Sequence, residues 1–379
     1  MVRRLAMSLL AAAVTALIAL PAQAAPDREP ASITVTTLGN GHGKGLSQYG
    51  ARNRATDGQT YREIVQHYYP STSWGTAGGT IRVLLTAAPE GSVVVAARSG
   101  LKAHSLGNGR TWTLPTKRDG KTVKKWRVTP AGARSLISYR TTSWRDWKKP
   151  KGDAELSAGN QPLTLDGGST YRGAIRLTEA GAVNVVGIDA YLRGVLSQEV
   201  FASWPADALR AQAVAARTYA VFERGNVPAS RDYDLCDTAA CQMYGGVGAE
   251  TSATDAAVKA TAGEILTYGG APIFAQFSAS NGGYSVDGGY PYLVPEEDPY
   301  DHGYPDDPHA TTFTGDQVTR HWTGLGDLVS VEVTERDGNG PNGGRVTEVL
   351  VTGTEGSVHA TGSQFRSYLG LRSTLFTIS

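Results

Sequence analysis

Between residues 80 and 186, short apolar runs alternate with polar positions at a period of two. Residues 81–85, 92–97, 125–128 and 174–177 each read as a strand, and Gly and Pro clusters separate them. This spacing predicts one antiparallel, β-rich body. Upstream, Ile33-Thr34-Val35-Thr36 reads as a further strand, and Gly39, Gly41, Gly43 and Gly45 follow at every second position. Residues 46–54 and 61–68 are helix-compatible, with Pro70 stopping the second. The period changes to that of a helix over residues 188–224. Asp189 is expected to cap a short helix reaching Gln198. Ser203 and Pro205 mark the start of an Ala-rich helix over 206–222 that ends at Gly225. Residues 252–262 predict another helix, and 265–268 and 272–277 predict strands. Residues 329–334 and 346–351 flank Asp337-Gly338-Asn339-Gly340, a hairpin signal. No internal repeat is present. The expected fold is α+β, a β-rich body with a small helical core, in a single composite domain.

Composition sharpens this picture. The 46 Gly and 17 Tyr favour a turn-rich, strand-rich protein over a helical one. Residues 1–24 have the form of a signal peptide: Arg3-Arg4, an apolar run over 9–20, then Ala22-Gln23-Ala24. That run is too short to span a bilayer, and no later apolar stretch reaches about 18 residues, so an exported chain without a membrane span is expected. With 36 basic and 35 acidic residues, nothing points to nucleic acid or an anionic membrane as partner. The groups Lys117-Arg118, Lys121, Lys124-Lys125 and Lys148-Lys149 read as solvated faces. In an exported chain, Cys236 and Cys241 are expected to form a disulfide. Zinc would need two further ligands, and none lies nearby in sequence. The segment 296–309 carries six acids and two His. It reads as a solvated, Pro-punctuated loop rather than a metal site, and no metal or cofactor is expected.

Two helical stripes carry candidate chemistry. Ile188, Leu192, Val195, Leu196 and Glu199 share one face, so Glu199 ends an otherwise apolar stripe. Desolvation raises a carboxyl pKa and keeps it protonated, the state a general acid needs. The plainer alternative is a Glu at a helix end that reaches water. In the next helix Arg210, Val214, Arg217 and Val221 share a face, the two arginines about 10 Å apart. A carboxylate or a sugar oxygen would partner them; ordinary surface arginines are the alternative.

The runs that carry these stripes are Tyr191-Leu192-Arg193-Gly194-Val195-Leu196-Ser197-Gln198-Glu199, Ala202-Ser203-Trp204-Pro205 and the segment 208–220. Together they closely resemble the signature of the SpoIID/LytB family, stage II sporulation protein D and amidase enhancer. Gly41-His42-Gly43-Lys44-Gly45-Leu46-Ser47-Gln48-Tyr49-Gly50-Ala51 resembles the family's glycine-rich element. His67-Tyr68-Tyr69-Pro70, the loop 276–283 containing Ser280, and the segment 365–376 are similar to further family pieces. The resemblance implies a catalytic domain over 25–379, with 80–186 as a β-rich subdomain. It implies Glu199 as the catalytic residue of a peptidoglycan lytic transglycosylase, acting in the cell wall outside the cell. Arg210, Arg217, His42, Ser47, Gln48, Tyr49 and Ser280 are the candidate substrate-binding residues, and glycan strands the expected partner. The alternatives are a non-catalytic binder that activates a cell-wall amidase, and a hydrolysing muramidase. In typical members the glycine-rich element comes last. Here it comes first, as in a circular permutation, which requires residues 33–36 to lie beside residues 375–378.

Overall fold

The computed structural model describes residues 31–88 and 91–379; the expected signal peptide lies outside the described residues. The chain folds as a strand-rich α+β protein. Strands Ser32–Thr37, Thr80–Leu84, Val93–Ala96, Lys125–Pro130 and Ala174–Thr178 form where period-two alternation predicts them. A seven-stranded sheet contains Thr80–Leu84, Gly181–Gly187, Ala174–Thr178, Ala154–Ser157 and Lys102–Ser105 as its inner strands. A four-stranded sheet is built on Lys125–Pro130 and Ser135–Arg140. One apolar core, containing Val83, Trp126, Ile175, Leu192 and Ala213, runs without a break from these sheets into the helices.

Five helices shape the rest of the site: α1 (Gln48–Thr56), α2 (Tyr61–Tyr68), α3 (Ile188–Glu199), α4 (Ala206–Asn226) and α5 (Ser252–Ala260). Thr60 and Glu63 cap α2 reciprocally. Two cap expectations need correction. Gly187, not Asp189, precedes α3 and makes no side-chain cap; the Asp189 carboxylate instead accepts from Arg217 Nε at 2.8 Å. Gly225 does not end α4, which continues to Asn226. The 272–277 stretch is also not one strand: only Ala271–Pro272 and Phe277–Ser278 pair, the latter parallel to Leu46–Ser47.

Strand Ser32–Thr37 lies in the middle of a three-stranded sheet, between His309–Thr314 and Phe376–Ile378. Thr36 faces Thr377 and Val35 faces Ile378 in antiparallel register. This is the adjacency the permuted order requires. The expected hairpin also forms, Leu328–Arg336 against Val346–Gly353.

The largest departure from expectation is the acidic segment 296–309. It is not simply a solvated loop, because Asp298 and Asp301 are only 1% and 9% exposed. Asp298 accepts from Arg54 Nη2 at 2.9 Å, Tyr68 Oη at 2.6 Å and Asn281 Nδ2 at 3.0 Å. Asp301 accepts from Ser47 Oγ, Ser280 Oγ and the Gly282 amide at 3.0, 2.9 and 2.6 Å. Asp307 receives the Gly39 amide at 3.1 Å. Charge density in the sequence gave no hint that two of six acids point inward to meet donors from three distant segments. Removing Asp298 leaves the Arg54 guanidinium buried without its counter-charge. Asp298→Ala is therefore expected to cost about 3–5 kcal/mol in urea unfolding. The apolar pair Asp298→Leu with Arg54→Met should recover most of that loss.

Candidate active site

The glycine-rich segment and the C-terminal end of α3 meet across a cleft of about 550 Å³. It is lined by Asn40, Gly41, His42 and Gln48, by residues 276–279 that pack on this glycine-rich segment, and by Gln198, Glu199 and Tyr219. The loop residues Ala239, Ala240 and Cys241, with Met243, complete the lining. A disulfide joins Cys236 to Cys241, with Cα atoms 5.5 Å apart, and closes that loop.

Glu199 is half-buried, and it is the sole carboxylate among the described residues lining the cleft. Burial raises its pKa above the usual carboxyl value. Hydrogen bonds from the Gln48 amide and the Met243 backbone act in the opposite direction without cancelling the shift. Gln48 Nε2 lies 3.4 Å from Glu199 Oε2, a contact between residues 151 apart in the chain. The same spacing rule that put Glu199 on the α3 stripe thus leaves its carboxyl at the wet edge of an apolar face.

Of the other residues singled out from sequence, His42 and Gln48 line the cleft directly. Solvent reaches the His42 ring, but the surrounding cleft walls and the cations Lys44, Arg345 and Arg366 push its pKa down to about 4. The Lys44 amide donates to His42 Nδ1 at 3.0 Å, so the neutral imidazole carries its proton on Nε2. Ser47 and Ser280 are fully buried and bind Asp301; they support the wall and do not face the cleft. Tyr49 is also buried, edge-on to Trp204 and to Tyr304 with ring centroids 5.1 Å away in each case.

The two arginines lie outside the cleft lining. Arg217 is completely buried, and its donors go to Asp189, Thr261 Oγ1 and the carbonyls of Val258 and Glu264. Arg210 pairs with Asp207 one turn earlier, at 3.2 Å. Their common stripe was correctly read, but that face packs α4 against its neighbours instead of opening on the cleft. Their expected substrate contacts therefore find no counterpart in the geometry.

Tyr219, Ser278 and Met243 are among the lining residues not singled out from sequence. Tyr219 stands two positions after Arg217, and burial with Glu223 and Glu199 nearby pushes its phenol up to about 12, so it is a neutral donor. Ser278 presses against Gly41, where an added Cβ would lie 2.6 Å from the Ser278 Cβ. Gly41 itself has φ +109° and Gly45 +63°, with Gln276 O 2.1 Å from where a Cβ of Gly45 would sit. The alternating glycines thus allow close approach to the 276–282 loop. Met243 offered no sequence signal, because it follows the disulfide-closed loop that reaches the rim.

The lowered pKa of His42 has a consequence that can be measured. Its folded value lies below the ordinary 6.5, so the neutral form favours the fold. The contribution is present above about pH 6.5 and is lost as pH falls towards 4. Nuclear magnetic resonance titration of the His42 ring should give a midpoint near 4, and Lys44→Ala should raise it.

A family model described as SpoIID, stage II sporulation protein, matches residues 177–268, the segment holding α3, α4, α5 and Glu199. The amidase enhancer of Bacillus subtilis (strain 168) is 41% identical over 116 residues, covering 29% of this chain and 15% of the relative. Stage II sporulation protein D of the same organism is 32% identical over 154 residues, covering 35% of this chain and 45% of the relative. An uncharacterized protein of Brachyspira hyodysenteriae is 39% identical over 103 residues, 27% of this chain and 28% of its own length. The chain thus spans less than half the length of each of these relatives. The family model falls on the helices that carry Glu199, and with the two named relatives it makes this part of the chain similar to stage II sporulation protein D and the amidase enhancer.

Proposed function

We propose that this protein is an exported lytic transglycosylase that cuts peptidoglycan glycan strands, with Glu199 as its one catalytic carboxyl. The observation that carries the reading is a single, half-buried carboxyl with a raised pKa in a cleft lined otherwise by amides, hydroxyls and aromatic rings. Hydrolysing glycosidases pair two carboxyl groups about 5–10 Å apart across the scissile bond. A transglycosylase needs one.

Glu199 in its protonated form donates to the glycosidic oxygen leaving the muramic acid C1. The C1–O bond breaks, and positive charge spreads over C1 and the ring oxygen. The resulting Glu199 carboxylate then takes the proton of the C6 hydroxyl, whose oxygen bonds to C1. The product is a 1,6-anhydro end, Glu199 is protonated again, and no water is consumed. Gln48 holds the carboxyl from one side. The neutral His42 and Tyr219 offer donors to sugar oxygens from the cleft lining. The cell wall, outside the membrane, is the site of action; no helix among the described residues is long and apolar enough to cross a membrane.

The printed name of one relative, an amidase enhancer, supports a second reading in which the cleft binds glycan and a cell-wall amidase is the partner. Product mass separates the readings. Purified wall digested by the wild type should give anhydro ends, one water lighter than hydrolysed ends. Glu199→Gln should fold normally and lose at least about 100-fold in turnover. Absence of any glycan product from the wild type would exclude the enzyme, and a hydrolysed end would identify a muramidase.

The pH profile offers an independent check. Activity needs protonated Glu199, so the rate should fall on the alkaline side as that group ionises. Gln48→Ala removes a hydrogen bond that favours the carboxylate and should move this limb to higher pH.

A further inference from the structure

Beside the cleft, four aromatic rings stand in an unbroken row. Phe201 is 64% exposed, the most exposed of the large apolar side chains among the described residues, and its ring centroid lies 5.7 Å from that of Trp204. Trp204 meets Tyr49 edge-on at 5.1 Å, and Tyr49 meets Tyr304 at the same separation. The Arg52 guanidinium lies over both middle rings, 5.7 Å from Tyr49 and 5.9 Å from Trp204. Among the described residues that guanidinium has no carboxylate partner and no hydrogen bond, so its donors are unused.

The row touches the cleft lining at two places. Phe201 follows Glu199 by two residues, and Tyr49 follows Gln48, which contacts Glu199. At the far end the Tyr304 hydroxyl lies 2.5 Å from Nδ2 of Asn40, a lining residue. A polymer that leaves the cleft past Glu199 therefore runs onto this row.

A solvated protein gains nothing by exposing Phe201 at a turn, and an apolar face continuous with a polar cleft suits a ligand with both characters. A pyranose ring is such a ligand, with axial C–H bonds on its faces and hydroxyls around its edge. Sugar faces stack on aromatic rings, and edge hydroxyls or acetamido oxygens accept from a guanidinium. We propose that Phe201 and Trp204, with Arg52, form an additional sugar subsite that holds the glycan strand beyond the cleft and selects long strands over short ones. The assignment rests on the glycan reading of the cleft, but not on its lytic chemistry.

Binding in a protein that cannot turn over separates the two. In the Glu199→Gln background, affinity is measured by titration calorimetry for N-acetylglucosamine oligomers, a disaccharide and a hexasaccharide. Phe201→Ala and Trp204→Ala should each weaken hexasaccharide binding about three- to tenfold and leave the disaccharide unchanged. Arg52→Ala should weaken the hexasaccharide as well, while Arg52→Lys restores part of the loss. Phe201 is exposed, so Phe201→Ala should keep the parent melting temperature, and it remains informative if Trp204→Ala is destabilised. If the hexasaccharide binds parent and Phe201→Ala alike, the subsite is wrong and the row is a protein-docking face. Equal weakening of both oligomers would also overturn it, by placing the rings inside the cleft. Failure of the parent to bind either oligomer would overturn the glycan reading and this subsite with it.

Discussion

Everything at the cleft depends on two carboxylates that are taken out of water. Asp298 and Asp301 sit where four pieces of chain meet: the glycine-rich segment with α1, the end of α2, the 278–283 loop, and the segment that bears the acids themselves. Burying a carboxylate is tolerable only when every lone pair finds a donor, and each of these is supplied by hydroxyls, amides or a guanidinium. Once satisfied, such a network leaves very little slack. The wall that carries His42 and Gln48 is held to α2 and the 278–283 loop by geometry that neither an apolar patch nor a surface ion pair could impose.

That arrangement explains how one carboxyl in this protein can be free while others nearby are fully engaged. Asp301 and Glu199 are both desolvated and both have raised pKa values. Asp301 meets several donors that compensate its burial and has no reason to exchange its proton with a ligand. Glu199 meets only a long contact from Gln48 and the Met243 backbone, and faces open volume. Chemical availability is thus set by what is withheld from Glu199 as much as by what is placed around it.

The sequence made some of this legible. Period-two runs located the strands of the β-rich body, and the α3 stripe located Glu199, because both depend on local spacing. The pairing of Ser32–Thr37 with Phe376–Ile378 followed from the order of the family-like segments. What stayed hidden was long-range and polar. Arg217 has the same helical address whether its face opens on a cleft or packs on Asp189, and periodicity does not distinguish the two. The acids of 296–309 look solvated because their partners Arg54, Tyr68, Ser47 and Asn281 come from elsewhere in the chain, and a local window never contains them together.

The central position of strand Ser32–Thr37 also orders events in time. This strand and the glycine-rich segment are made long before their partners, His309–Thr314 and Phe376–Ile378. The entropy of closing so long a loop is paid before any of those contacts forms, which makes this the slow part of folding. The cleft wall therefore cannot close on Glu199 until the chain has been made as far as Phe376–Ile378. A nascent copy that stops short of those residues carries α3, α4 and Glu199, but no assembled site.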